Sequence, residues 1–292
     1  MTAGIGFAIV AALIWGVYLF YLKRMFVDYP ASTLTVLINV FALIWYGPLV
    51  GYSLGVDGVT TALSVFELAH LGILALTAVT IAAAMVTFLR ALGIGDVSYV
   101  APINKIVPVF VLPIEVVVLG QFLTPLQVAG VVVATIAIYV ANFQGGALTE
   151  PLRRIAHSRA AQLALVSAFF FAVSDVGKRI ALQELAIPAT LWVPLLLGSV
   201  VVILAPFAPR SVPAMNRLEV GKLAGAGAFV AAGEHVTTLA FALIPASIAS
   251  PIVNTQAIIA VLLGGLILKE RYFRIRIVAA VLAVIGVTMI AI

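Results

Sequence analysis

The chain has no cysteine among its 292 residues, three histidines, and only 9% charged residues. Without cysteine there are no disulfides and no thiolate metal sites. His70, His157 and His235 are spread too far apart to form a helical metal-binding pair, so no metal is expected. No phosphate loop of the GxxxxGK type occurs, which argues against ATP-driven pumping within this chain, and no cofactor is expected. The shortage of charge excludes more. A soluble domain carries about 25% charged residues. With 64% hydrophobic residues and a mean hydropathy of +1.25, this chain lacks the polar surface to face water on all sides.

Lipid resolves that contradiction, because apolar side chains can then point outward. Spanning segments must be helices or a closed barrel. Barrel strands alternate apolar and polar residues, whereas the apolar runs here are continuous, so an all-α integral membrane protein is expected. A span needs roughly 17 to 25 residues. The runs between polar breaks give ten: 4–22, 32–52, 68–91, 97–119, 125–143, 160–180, 188–207, 220–242, 248–268 and 274–292. The first is preceded by no Lys or Arg, which a signal peptide would carry, so it reads as a retained span. The stretch 144–159 is the longest polar segment and reads as a central linker.

The net charge of +5 does not point to nucleic acid, because the cations sit in short clusters between apolar runs. Thirteen of the sixteen Lys and Arg fall in or beside the loops after helices 1, 3, 5, 7 and 9, and Lys178 and Arg179 alone are assigned to the other side. Basic loops stay cytoplasmic, so both termini are expected on the non-cytoplasmic side.

The two halves repeat. APINKIVPVFVLPIEVVVLGQFLTP (101–125) lies over SPIVNTQAIIAVLLGGLILKERYFR (250–274) at an offset of 149 without a gap. Pro102 then meets Pro251, Lys105 meets Asn254, and Gln121 meets Glu270; upstream, Lys23-Arg24 echoes Lys178-Arg179, and Pro30 echoes Pro188. The expected units are 1–147, a five-helix repeat, and 148–292, the rest of the linker and a second five-helix repeat. Five spans per half force the second copy to enter from the opposite side. Inverted repeats of this kind are common in secondary transporters, which bind substrate near the midplane.

The two-times-five arrangement resembles the drug/metabolite transporter superfamily in its EamA-type branch. Ala-Leu-Ile-Trp-Gly (12–16), Ala-Leu-Ile-Pro-Ala-Ser-Ile-Ala-Ser-Pro (242–251) and Leu-Lys-Glu-Arg (268–271) carry the likeness. Within that branch the chain is most similar to the YddG-type amino-acid exporters. The resemblance implies export of amino acids or related small metabolites across a bacterial inner membrane by alternating access, with no nucleic-acid partner. Other metabolites or drugs, such as purines or cationic drugs, are alternatives, and a passive channel or an intramembrane enzyme stand further off. Gly120 is followed by Gln121 where family members often carry an acid, so this position and Glu270 are read as structural.

Ionisable residues at membrane depth are costly and therefore candidates for function. Lys105 lies about 12 Å into span four at helical rise, after Asn104 and between Pro102 and Pro108. Proline frees backbone groups that can line a cavity, so Pro102, Pro108 and Pro251 are candidate hinges. Lys105 is expected to meet a substrate carboxylate or to pair with Glu234 in the empty state; a snorkelling lysine is the competing reading. Glu234 and His235 are adjacent on span eight and point about 100° apart, so only one faces any given spot. Asn254 and Gln256 suit both ends of a zwitterion, or serve as polar glue between helices. Glu115 and Asp175 are further acids, and Asp175 reads as an interfacial partner of Lys178 or Arg179. Trp15, Tyr18 and Tyr99 are candidate cavity walls, although Trp and Tyr also gather at membrane interfaces.

Overall fold

The computed structural model describes residues 2–64, 66–119, 124–141, 156–208, 216–244, 246–269 and 272–291. Most of the linker, Gln121 and Glu270 lie outside the described residues. The described chain is helical: α1 (Thr2–Met25), α2 (Ala31–Ser53), α3 (Gly55–Ser64), α4 (Leu68–Ile94), α5 (Val97–Asn104), α6 (Val107–Leu119), α7 (Pro125–Ala141), α8 (Arg159–Arg179), α9 (Ala189–Leu204), α10 (Arg217–Leu243), α11 (Ala246–Asn254), α12 (Gln256–Ile267) and α13 (Phe273–Ala291). Seven segments, from Thr2–Met25 to Arg217–Leu243, are long and apolar enough to cross a membrane among the described residues. The short α3 adds to the expected spans.

Local chemistry sets the helix starts. Ser158 caps α8 by accepting from the Ala161 amide at 3.2 Å, and Asn216 caps α10 by accepting from the Glu219 amide at 2.9 Å. Pro30 and Pro188 precede α2 and α9 in nearly the same conformation, with φ −59° at each and ψ 130° and 135°.

The offset of 149 reappears as geometry. The starts of α4 and α10, of α5 and α11, and of α6 and α12 are each 149 residues apart. Gly95 and Ile244 end α4 and α10 alike, both extended, their amides bonded to the Ala91 and Ala240 carbonyls at 2.9 and 3.0 Å. Packing follows the same plan: α8 packs on α4 as α1 packs on α10, while α2 faces α9 and α7 faces α13.

Two expected spans are broken at matched places. α5 ends at Asn104, and α6 starts at Val107. Pro108 has no amide to offer the Asn104 carbonyl, and the Val109 amide bonds to Ile106 at 2.8 Å, one turn tightened. In the second half the break falls at Thr255, whose amide and Oγ1 both reach the Ile252 carbonyl, at 3.1 and 2.7 Å. No proline stands at the matched position there, so the threonine hydroxyl takes over the local bonding. Pro102 and Pro251 lie inside α5 and α11, ahead of the breaks.

The sixth span is longer than expected. It continues past residue 180 through a π-helical turn, Ile180–Glu184. Gln183 Nε2 donates to the Phe241 carbonyl at 2.9 Å. Lys23 Nζ donates to the Leu92 carbonyl at 2.6 Å, and residues 92 and 241 are again 149 apart. Gln183 is therefore the structural mate of Lys23. The Lys23-Arg24 and Lys178-Arg179 echo is out of register by more than one turn, and Lys178 lies more than a turn inside the end of the span.

Small residues let the helices approach closely. A Cβ at Gly227 of α10 would lie 2.5 Å from the Phe41 Cβ and 2.8 Å from the Ala42 backbone nitrogen of α2. Backbone cannot rotate aside, so Gly227→Ala is expected to cost about 1–3 kcal/mol by forcing α2 and α10 apart. A thermal melt of the purified variant checks this, and an unchanged midpoint would contradict the close contact.

Candidate functional site

Helices of both halves enclose one cavity with an empty volume of about 1100 Å³, including space open to the outside. Its apolar wall includes Trp15, Met85, Phe88 and Phe171, and its polar wall includes Asn39, Lys105, Asp175, Lys178, Glu234, Asn254 and Gln256.

The break between α5 and α6 presents Lys105 to this space. Lys105 Nζ lies 4.9 Å from the centre of the Phe171 ring and 5.5 Å from that of Phe88. Cation–π attraction at that range holds the ammonium without neutralising it. Lys105 makes no hydrogen bond or ion pair with any described residue.

Phe171, Asp175 and Lys178 follow one another at i, i+4 and i+7 on α8, and all three line the cavity. Lys178 Nζ pairs with Glu234 Oε2 of α10 at 3.0 Å, with side-chain exposures of 4% and 11%. Asp175 lies within electrostatic reach of Lys105, Lys178 and Glu234 but forms no ion pair among the described residues. The expected pairing of Glu234 with Lys105 is thus replaced by Glu234 with Lys178. The cause is the π-helical turn Ile180–Glu184, which lengthens the sixth span and leaves Lys178 at cavity depth. Asp175 faces the cavity as well, rather than an interface.

The amides contribute open positions. Asn254 Nδ2 donates to the Ser250 carbonyl at 2.8 Å and to Ser250 Oγ at 3.1 Å, which leaves its Oδ1 without a partner among the described residues. Gln256 and Asn39 make no hydrogen bond with any described residue. Trp15 Nε1 donates to Thr237 Oγ1 at 2.9 Å, and its ring meets Tyr18 edge-on at 5.5 Å. The buried Tyr18 hydroxyl has no partner among the described residues.

Three candidates lie elsewhere. His235 points away from Glu234, as adjacent helical positions must, and its Nδ1 shares a hydrogen bond with Tyr46 Oη at 2.7 Å. Asn104 is buried between helices, its Nδ2 donating to Ser167 Oγ at 2.9 Å, and Ser167 in turn donates to the Ala84 carbonyl at 2.8 Å. Tyr99 sits at the basic-loop end, 5.5 Å from Arg276 and bonded to Ser158 at 3.2 Å. The Glu115 side chain lies outside the described positions.

That basic-loop end is held by polar contacts between the halves. Arg276 Nη1 donates to Asp96 Oδ2 at 2.9 Å and to Ser98 Oγ at 2.7 Å. Tyr29 Oη donates to Glu219 Oε2 at 2.7 Å, and Lys222 Nζ holds the other oxygen at 2.6 Å. Desolvation, then the Glu219 carboxylate, pushes the Tyr29 hydroxyl up to about 12, so it stays a donor at neutral pH.

The pattern of the EamA-like transporter family matches the chain twice, over residues 2–143 and 158–292. No curated protein sequence matches at a significant level. A solved crystal structure, titled only as that of a protein, superposes on 99% of this chain and 96% of its own with a TM-score of 0.68 at 14% identity, a likeness of fold. With the family pattern spanning both halves around this enclosed, charged cavity, the chain belongs to the EamA-like transporter family and is a multi-pass membrane transporter of small molecules.

Proposed function

We propose that the protein is a secondary transporter that exports amino acids or related small metabolites from a bacterial cell by alternating access. Ten spans form two inverted five-helix halves, and the cavity between them is the substrate site. The helix boundaries spaced by 149 residues support that arrangement. So does the packing of α8 on α4 and of α1 on α10. The two broken spans meet the cavity at corresponding residues, Lys105 and Asn254. Discontinuous spans of this kind place helix ends and freed backbone groups at a midplane site.

The observation that carries the reading is Lys105, a cation at membrane depth with no ion pair to any described residue. An unpaired charge there is unfavourable and is offset when a substrate carboxylate binds. Asn254, Gln256 and Asn39 hold polar substrate atoms, and Trp15 and Tyr18 wall off the apolar part. With Lys178 moved into the cavity, thirteen cations remain at the basic-loop end against Arg179 opposite, which strengthens the assignment of that end to the cytoplasm. Efflux of radiolabelled amino acids from proteoliposomes tests the reading; release no faster than from protein-free vesicles would refute it.

Alternating access also requires the contacts at the basic-loop end to open. Replacing Arg276 with Gln removes the tie to Asp96 and Ser98. Because the chain has no cysteine, Asn39→Cys introduces a single thiol into the cavity. A membrane-impermeant maleimide applied from the basic-loop side is expected to label that thiol several-fold faster in the Arg276→Gln background. Equal labelling rates would show that the Arg276 contacts do not gate the cavity.

A further inference from the structure

Among the described residues, the charged side chains of the cavity are two cations, Lys105 and Lys178, and two anions, Asp175 and Glu234. Their charges cancel. Lys178 and Glu234 satisfy each other at 3.0 Å, whereas Lys105 and Asp175 face the cavity with no ion pair to any described residue. They are close neighbours in height. Lys105 Nζ lies 4.9 Å from the Phe171 ring, and Asp175 is one helical turn beyond Phe171, about 6 Å along α8. An open cation and an open anion so placed form an unclosed ion pair.

We propose that this cluster selects net-neutral zwitterions, and that Asp175 is the specificity-determining residue that holds the substrate ammonium while Lys105 holds the carboxylate. The inference rests on the transport reading only in taking the cavity as the substrate site. Glu234 already has its charge compensated by Lys178 at 3.0 Å, which leaves Asp175 as the cavity anion without a paired cation among the described residues. An α-amino acid carries its two charges one carbon apart and closes the gap between Lys105 and Asp175 through both ends. The loaded cavity then remains neutral. A carboxylate alone leaves Asp175 unpaired and adds net negative charge in a poorly solvated space, and an amine alone does the reverse at Lys105; each arrangement is penalised. Neutrality therefore discriminates against organic anions and organic cations alike. The apolar wall of Trp15, Met85, Phe88 and Phe171 accommodates an apolar side chain.

Three probes of one shape isolate the charges: leucine, 4-methylpentanoate without the ammonium, and 3-methylbutylamine without the carboxylate. Their equilibrium binding to the full-length protein in lipid nanodiscs is measured. The wild type is expected to bind leucine about 10-fold or more tighter than either analogue. Asp175→Asn is expected to weaken leucine by a similar factor while leaving 4-methylpentanoate unchanged or tighter, which a purely structural role would not do. Lys105→Gln is expected to do the converse with 3-methylbutylamine. Asp175→Glu, with an unchanged melt, restores the leucine preference and separates lost specificity from lost folding. The proposal is overturned if the wild type binds none of the three or does not prefer leucine, or if Asp175→Asn weakens all three alike or has no effect. Selective binding without any flux would instead sink the transport reading and leave this site standing.

Discussion

Lys178→Ala is expected to destabilise the protein by about 3–5 kcal/mol, because it leaves a buried carboxylate without its partner. Glu234 and Lys178 meet at 3.0 Å with side-chain exposures of 11% and 4%. Neither is well hydrated, so the desolvation cost of each is offset mainly by the other. Removing one partner leaves that cost standing, whereas removing both removes most of it. The double variant Lys178→Met with Glu234→Gln is therefore expected to melt close to the wild type. Thermal unfolding of the wild type, Lys178→Met, Glu234→Gln and the double variant forms a mutant cycle. A cycle with no coupling would show that the pair is not formed in the membrane. The sequence places Lys178 at the interfacial end of span six, where its loss would cost at most about 1 kcal/mol, so the result also decides where this lysine sits.

Lys105→Ala is expected to produce the opposite pattern: lost function with retained stability. Among the described residues, Lys105 is held by two phenyl rings and pairs directly with no anion. Its desolvation is offset by no direct ion pair and only at a distance by Asp175, so its removal is neutral or mildly stabilising to the fold. Flux is expected to fall about 10- to 100-fold, the worth of about 1.5–3 kcal/mol from a charge-assisted bond to the substrate carboxylate. Lys105→Arg keeps the charge but not the shape of the ammonium, and is expected to retain part of the flux. Flux assays at matched expression and a thermal melt of the same preparations check both halves of the prediction. A large loss of stability would mean that Lys105 is a structural residue, and unchanged flux would mean that it touches no substrate.

Much of the fold was legible because membrane helices announce themselves by long apolar runs. The repeat at 149 was legible because Pro102 and Pro251 coincide and the span spacing is kept. The breaks in spans four and nine were only half visible. Pro102, Pro108 and Pro251 marked the neighbourhood, but the second break is made by the Thr255 hydroxyl and backbone, which no residue pattern distinguishes from a polar helix face. Lys105, Glu234 and Asn254, singled out in the sequence, line one cavity, but Glu234, expected to pair with Lys105, pairs with Lys178. That error has one source. Lys178-Arg179 resembles a helix-ending basic pair, and Glu184, a polar residue beyond an apolar turn, looks like loop. The i, i+4, i+7 spacing of Phe171, Asp175 and Lys178 was the available sign that all three share a face. Tyr99 and His235 were placed near the cavity by sequence distance, while helix rotation turns His235 toward Tyr46 and span depth takes Tyr99 to the basic-loop end.

The central claim is that the cavity is a carrier site exposed alternately to the two sides. Counterflow measures it most directly. Proteoliposomes loaded with an excess of unlabelled leucine are diluted into a trace of labelled leucine, and internal label is followed with time. The account predicts saturable uptake to a transient internal excess over the outside concentration, abolished by Lys105→Ala. Label that only equilibrates, without overshoot and without saturation, or that enters no faster than in protein-free vesicles, would contradict it.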